Sequence, residues 1–342
     1  MDFGPVPLDQ ALGAILAHSE PLPGGGRLRK GAVLGADDLA TLAAAGIRQV
    51  TVARPGPDDV AEDAAAARLA AALVPDPDAA GLALTAAFTG RVNLKAARPG
   101  LVDLDPAAIG ALNRIDPAIT LATLAPLVRV GPGMLVGTVK IITYAVDGAA
   151  LDRAARAAAG AIRIRPVTLP DAGLILTEVP GMDLKLQAKG RRAVEGRLRA
   201  LGMTLAACVT VPHDETAIAR ALPALPGAIA LILTGSATSD PNDTAPLALR
   251  RAGGRVARFG MPVDPGNLLF LGDLAGRPVV GLPGCARSPA LNGADWVLER
   301  LVCGLAVDDD AIAAMGVGGL LKEIPIRPQP REGDAPKSLR DF

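Results

Sequence analysis

The spacing of apolar residues changes character near the middle of this chain, irregular up to about residue 165 and regular beyond it. In the first part, residues 8–17 (LDQALGAILA) and 37–45 (DDLATLAAA) carry helical spacing, and Gly46 stands where a helix C′ glycine belongs. A short strand is expected at 47–53. The Pro- and Asp-rich RPGPDD then breaks the chain before EDAAAARLAAAL, whose Ala, Leu and charged residues favour helix, and 75–81 is another break. Between 82 and 146 the runs ALTAAFTGRVNLKAA, ITLATLAPLVRV and MLVGTVKIITYAV, separated by Pro and Gly, read as strands. One helix, DPAAIGALNRI, interrupts them with Asp105 as its N-cap. An Ala- and Arg-rich helix at 149–161 leads to the break at Arg165-Pro166. Residues 1–165 are therefore expected to form a mixed α+β domain.

Beyond that break, apolar runs and helical stretches alternate: AGLILTEV, KLQAKGRRAVEGRLRAL, TLAACVTV, DETAIARALPAL and AIALILT. This predicts an α/β domain over 166–305, a three-layer α/β/α arrangement around a mostly parallel sheet. A helix at 244–252, strands around 255–259, 268–271 and 278–282, and a helix at 289–303 complete it. Residues 306–342, which end in IPIRPQPREGDAPKSLRDF, are expected to be extended or disordered because so polar a stretch cannot build a core.

Composition narrows the function. With 342 residues, two domains are expected. Half the residues are apolar but only 2% are aromatic, so the core is aliphatic and base-stacking platforms are lacking. Lys plus Arg balances Asp plus Glu at 35 each, which also argues against a nucleic-acid partner. No apolar run approaches the roughly 18–20 residues that span a bilayer, and the start lacks a basic stretch followed by an apolar one. A soluble cytoplasmic protein is expected. Cys208, Cys285 and Cys303 are too scattered for a disulfide framework or a cysteine zinc site, and only His18 and His213 supply imidazoles. Any metal chemistry must therefore use oxygen ligands.

Two turns carry the candidate chemistry. The first, in IALILTGSATSDPNDTAP (229–246), follows the third strand of the alternation at the carboxyl edge where open α/β sheets bind ligands. Gly235 permits a tight turn, Ser236, Thr238 and Ser239 offer hydroxyls and amides, and a helix starting near Thr244 presents N–H groups to an anion. Asp240 and Asp243 would repel a bare phosphate, so a phosphate here implies a bridging Mg²⁺ on one carboxylate. An Asx turn and an N-cap from Asp243 or Thr244 explain the same residues without a ligand. The second turn, VVGLPGCARSPALNG (279–293), repeats the arrangement. Gly281 and Gly284 free the backbone, Pro283 fixes it, Arg287 reaches an anion, and Ser288 caps the helix or donates to phosphate. Cys285, with no histidine near it in sequence, is read as packing or exposed. Lys185, Lys189, Arg191 and Arg192 are either counter-charge for a phosphorylated ligand or a solvated helix face. His213 is read as a loop residue with Asp214 as a cap, His18 as a helix-end residue, and Trp296 as core.

These turns and their order carry a family resemblance. Residues 172–305 resemble the molybdopterin-binding fold of molybdopterin adenylyltransferases and molybdenum insertases. The turn at 234–243 is similar to that family's Thr-Gly-Gly-rich loop, with Ser236 and Ala237 in place of paired glycines. GLPGCARS resembles the insertase turn Gly-Leu-Pro-Gly-Asn-Pro-x-Ser, with Gly281, Leu282, Pro283, Gly284 and Ser288 in register and Cys285 and Ala286 replacing Asn and Pro. GGRLRKGAVLGADDLATLAAAGIRQVTVAR is similar to the segment that precedes this fold in insertases. The whole chain resembles the molybdopterin-binding portion that some bacterial proteins fuse to a cytidylyltransferase domain.

The resemblance implies molybdopterin as ligand or substrate. Its terminal phosphate would lie against Thr234, Gly235, Ser236, Thr238 and Ser239, with Gly281, Pro283, Gly284, Arg287 and Ser288 as a second wall. Asp240 or Asp243 would be the catalytic, Mg²⁺-ligating carboxylate. Three roles follow: a binder that carries or delivers the cofactor, an active Mg²⁺-dependent adenylyltransferase or insertase, and a non-catalytic scaffold. A nucleotidyltransferase or molybdoenzyme is the implied protein partner, and self-association is compatible with all three. Because a Cβ at 236 and 237 limits close backbone approach, binding is favoured over catalysis.

Overall fold

The computed structural model describes residues 1–23 and 25–321. It forms two compact units, Met1–Pro166 and Val167–Phe342. In the first, strand Asp2–Pro7 pairs antiparallel with Gln49–Arg54, whose other edge takes Ile15–Leu16. The helix expected at 8–17 is instead a 3-10 turn, Leu8–Gln10, followed by that short strand. The apolar pattern is real, since Leu8, Ala11, Ala14 and Leu16 are buried with Leu42, Val50 and Val52. Cross-chain bonds, Gly13 N–H to Leu34 O and Leu16 N–H to Ala32 O, both 2.8 Å, replace the helical ladder. His18 accordingly sits at no helix end; its ring meets Phe3 edge-on. Gly46 does follow the helix Ala36–Ala44 with a φ of +79°.

The rest of this unit is antiparallel. Ile119–Thr123, Leu135–Ile141, Arg91–Ala96 and Leu82–Leu84 form one sheet, and Arg129–Val130, Gly100–Leu104 and Ile162–Pro166 another. Helices Glu62–Leu73 and Gly148–Ala157 contribute Leu69, Leu73 and Leu151 to a core shared with Val139 and Ile141. Asp105 caps Pro106–Asn113 by accepting from the amides of Ala107 and Ala108.

The second unit is built on six strands: β1 (Asp171–Glu178), β2 (Thr204–Pro212), β3 (Ile229–Leu233), β4 (Arg255–Phe259), β5 (Phe270–Leu274) and β6 (Arg277–Leu282). Helices α1 (Leu184–Ala200), α2 (Glu215–Ala224), α3 (Thr244–Arg251), α4 (Gly293–Val302) and α5 (Asp309–Ala314) accompany them. The strand order is β2-β1-β3-β6-β5-β4. β1 pairs parallel with β2 and β3, and β3 parallel with β6, but β5 pairs antiparallel with both β6 and β4. The sheet is therefore mixed. The reversal is local: Ala275 and Gly276, with φ of +53° and +84°, make a two-residue hairpin link, and so short a connection can only join antiparallel strands.

All five residues of β3 are buried. Ile175, Ala230, Ile232 and Val279 pack with Ile218 and Leu222 of α2 and Leu249 of α3, each large side chain contributing roughly 1.5–3 kcal/mol by leaving water. Residues 309–314, expected within the extended tail, are helical in α5, because Asp308 accepts from the amide of Ala311 and Ile312 is buried. The remainder of that tail, from residue 322, lies outside the described residues.

Candidate functional site

The chain leaves β1 for β2 on one side and returns to β3 on the other, so the strand order reverses between β1 and β3. Crevices outside the carboxyl ends of strands at such a reversal are the usual ligand sites of open α/β sheets. Here the two strands end in the same tetrapeptide, Leu-Ile-Leu-Thr, at 174–177 and 231–234, aligned with Leu174 beside Leu231 and Leu176 beside Leu233. The Thr177 hydroxyl, buried at the end of β1, accepts the Gly235 N–H at 2.7 Å and lies 2.9 Å from His213 Nδ1. Gly235 is needed for this approach: a Cβ there would lie 2.7 Å from Thr177 O and 2.7 Å from the Met182 methyl.

The first turn divides its residues between frame and surface. Thr234 and Thr238 are buried with their hydroxyls 3.4 Å apart, whereas Ser236, Ala237, Ser239 and Asp240 are exposed. Asp243 holds the turn shut. Its carboxylate accepts from Ser239 N at 3.0 Å and Thr244 N at 2.7 Å, so both oxygens serve the backbone as the cap of α3. Asp240 accepts from the Asn242 amide at 2.7 Å, and Arg250 of α3 donates to the Pro241 carbonyl at 2.6 Å. Burial works to raise the Asp243 pKa, but the amides of Ser239 and Thr244, the charge of His213 and the Thr244 hydroxyl outweigh it and hold the group below an ordinary aspartate. A depressed folded-state value means that this stabilisation is complete above the unfolded-state pKa and is lost as pH falls through the folded one.

The second turn stands beside the first, since Leu282 of β6 is aligned with Leu233 of β3. It contains a short 3-10 segment, Gly284–Arg287. Arg287 reaches across and donates to Thr234 O at 2.6 Å, which joins the two turns. Its Nε is buried without a hydrogen-bond partner, and burial pushes the guanidinium pKa down. The structure corrects three expectations here. Gly281 is a buried strand residue whose missing Cβ makes room for Phe270, not for a flexible backbone. Ser288 does not cap α4; Asn292 does, while the Ser288 hydroxyl accepts from Ala290 N at 3.2 Å. Trp296 is half-buried, with the Arg300 guanidinium 5.9 Å above its ring. Pro283 is buried and Gly284 exposed, with room for a Cβ. Lys185, Lys189, Arg191 and Arg192 are exposed along α1, and Arg191 pairs with Glu195 at 2.8 Å.

Comparison with known proteins bears on this edge. Residues 185–301 match a family model described as a probable molybdopterin binding domain. The match lies within the second unit. Residues 5–54 match a domain family of unknown function. Among solved structures, the chain is similar to the molybdopterin biosynthesis MoeA protein from Pyrococcus horikosii, at 13% identity and a TM-score of 0.31, over 88% of this chain and 75% of that one. It is also similar to a molybdenum cofactor biosynthesis protein from Pyrococcus furiosus, at 14% identity and a TM-score of 0.23, over 88% of this chain and 61% of that one. No curated protein matches the chain. No helix among the described residues is long and apolar enough to cross a membrane.

Within this second unit, sequence reasoning missed the residues that hold the turns in place. Thr177 had a signal, the repeated Leu-Ile-Leu-Thr, which marks it as the counterpart of Thr234. Arg197 had none, being one of five arginines between 191 and 220. It is nevertheless buried, and donates to Asp295 Oδ1 at 2.5 Å and to the carbonyls of Ala286 and Ser288 at 2.8 Å and Ala290 at 3.1 Å. Among the described residues, no three His, Cys, Asp or Glu side chains gather as a metal site. Mg²⁺ commonly takes only one or two carboxylates together with substrate phosphates, a demand the exposed Asp240 fits better than the doubly engaged Asp243.

Proposed function

We propose that the second unit binds molybdopterin by its terminal phosphate, in the crevice beside β3 and β6, and serves assembly or delivery of the molybdenum cofactor. The observation that carries this is Arg287. A guanidinium drawn out of water normally has a carboxylate to face, yet this one donates to a single backbone carbonyl and leaves Nε unsatisfied. Such a group is set up for an anion delivered from outside, and the turn whose Thr234 carbonyl it holds also carries the exposed Ser236 and Ser239, whose hydroxyls can donate to an anion. Helix contacts support a doubly covered sheet: α2 and α3 pack on the Ile232 side of β3, while Gly190 of α1 comes against Leu233, which points the opposite way.

The test is co-purification. Protein expressed in a molybdopterin-producing host should release, on oxidation, a fluorescent pterin well above a control protein, and Arg287→Met should retain roughly tenfold less, the worth of a charged hydrogen bond. Wild-type protein that carries no pterin and binds none when it is added would end the proposal.

A second reading, Mg²⁺-assisted adenylyl transfer or molybdate insertion, is favoured by the exposure of Asp240 beside this anion site. Mg²⁺ supplies charge neutralisation at phosphoryl oxygens. On this reading Asp240→Asn abolishes formation of adenylylated pterin from molybdopterin, Mg²⁺ and ATP, whereas Asp243→Asn chiefly costs about 1 kcal/mol of stability as a weakened cap. Wild-type protein that forms neither adenylylated pterin nor a molybdenum-loaded product removes it.

A further inference from the structure

A cleft of about 370 Å³ opens at the carboxyl ends of β1 and β2, lined by Glu178, Val179, Pro180, Gly181, Met182 and Pro212. It borders the candidate phosphate site directly, because the Met182 methyl is one of the two atoms that a Cβ on Gly235 would strike. Its rim is fixed: the Glu178 carbonyl accepts the His213 N–H at 2.8 Å, and the Glu178 carboxylate accepts from Gln187 Nε2 of α1 at 3.2 Å. Gln187 Nε2 also approaches the Met182 sulfur at 3.8 Å. Two proline rings and a polarisable thioether offer apolar surface to a planar heterocycle. The single charged group among the lining residues is a carboxylate, which can only accept hydrogen bonds.

We infer that Glu178 is the specificity-determining residue of this cleft, where it reads the donor edge of a 2-amino-4-oxopyrimidine ring. That edge carries two adjacent N–H donors, the exocyclic amino group and the ring N3–H, and one carboxylate matches both. The inference rests on the proposed pterin phosphate site, since it places the ring of the same ligand beside the anion held at Arg287. A ring that presents a carbonyl in place of the amino group sets oxygen against oxygen and is rejected.

Fluorescence titration of the full chain with pterin-6-carboxylate and with lumazine-6-carboxylate, which differ at that position and in the proton lumazine carries on the adjacent N1, tests it. Wild-type protein should prefer the pterin by roughly 10- to 100-fold, the worth of a hydrogen bond to a charged group. Glu178→Gln should lower that preference to about twofold or less, and Glu178→Asp should restore part of it; Glu178 is exposed, so neither change disturbs the core. Arg287→Met should weaken both ligands alike and leave their ratio intact. A Glu178→Gln protein that keeps the full preference, or a wild type that has none, overturns the assignment of Glu178 even where Arg287→Met behaves as expected. An Arg287→Met protein that binds both ligands as well as wild type counts against the phosphate site instead, and a wild type that binds neither overturns both.

Discussion

Replacing Arg197 with alanine is expected to destabilise the protein by about 3–5 kcal/mol, the cost of stranding one member of a buried ion pair. Both partners are only 9% exposed at their side chains. Removal leaves the Asp295 carboxylate under α1 with its Oδ2 still on the Asn292 amide but its Oδ1 facing nothing charged. It also releases the carbonyls of Ala286, Ser288 and Ala290. Arg197→Lys should recover little, because one ammonium cannot fork to a carboxylate and three carbonyls at once. Urea unfolding measures the effect, and a loss below about 1 kcal/mol would contradict the role given to this residue. Pterin retention should fall with it, but for a different reason than in Arg287→Met, where the frame stays intact and only the ligand contact goes.

The second large effect concerns Gly281. Its place in β6 lies directly opposite Phe270 of β5, and a Cβ would stand 1.9 Å from Phe270 Cε1 and 2.0 Å from Cδ1. Phe270 is 1% exposed and wedged among Ile232, Leu249 and Val279, so the ring has nowhere to retreat. Gly281→Ala should therefore cost about 1–3 kcal/mol or more as an overpacked core. Thermal unfolding of the variant and of the double variant with Phe270→Leu separates causes: the smaller side chain should relieve much of the penalty. A Gly281→Ala protein that melts like wild type would refute the packing account.

What the sequence revealed, and what it hid, follows from the range of each force. Apolar runs such as AIALILT and helical stretches such as KLQAKGRRAVEGRLRAL are local signals, and they became β3 and α1 within a few residues of the expected limits. The direction of β5 was hidden because an apolar run looks the same either way, and Ala275-Gly276 is a weaker hairpin signal than Asn-Gly. Residues 8–17 have the burial of an amphipathic helix but not its conformation, since partners at residues 32 and 34 claim their amides. Gly281 and Gly235 read alike in sequence; only the packed fold shows that one makes room for a ring and the other for a neighbouring strand. Arg287 was legible as a cation beside a turn. Arg197 was not, because burial of an arginine on an otherwise charged helix is decided by partners some ninety residues away.

Both arginines grip backbone oxygen. Arg287 holds the carbonyl of residue 234, and Arg197 those of 286, 288 and 290. A carbonyl is present whatever side chain occupies the position, so the hold on these oxygens is written into the sequence by the arginine alone, although Arg197 also needs Asp295 as its charge partner. At the exposed position 290 the side chain is thereby released from this duty and can change without loosening the clasp.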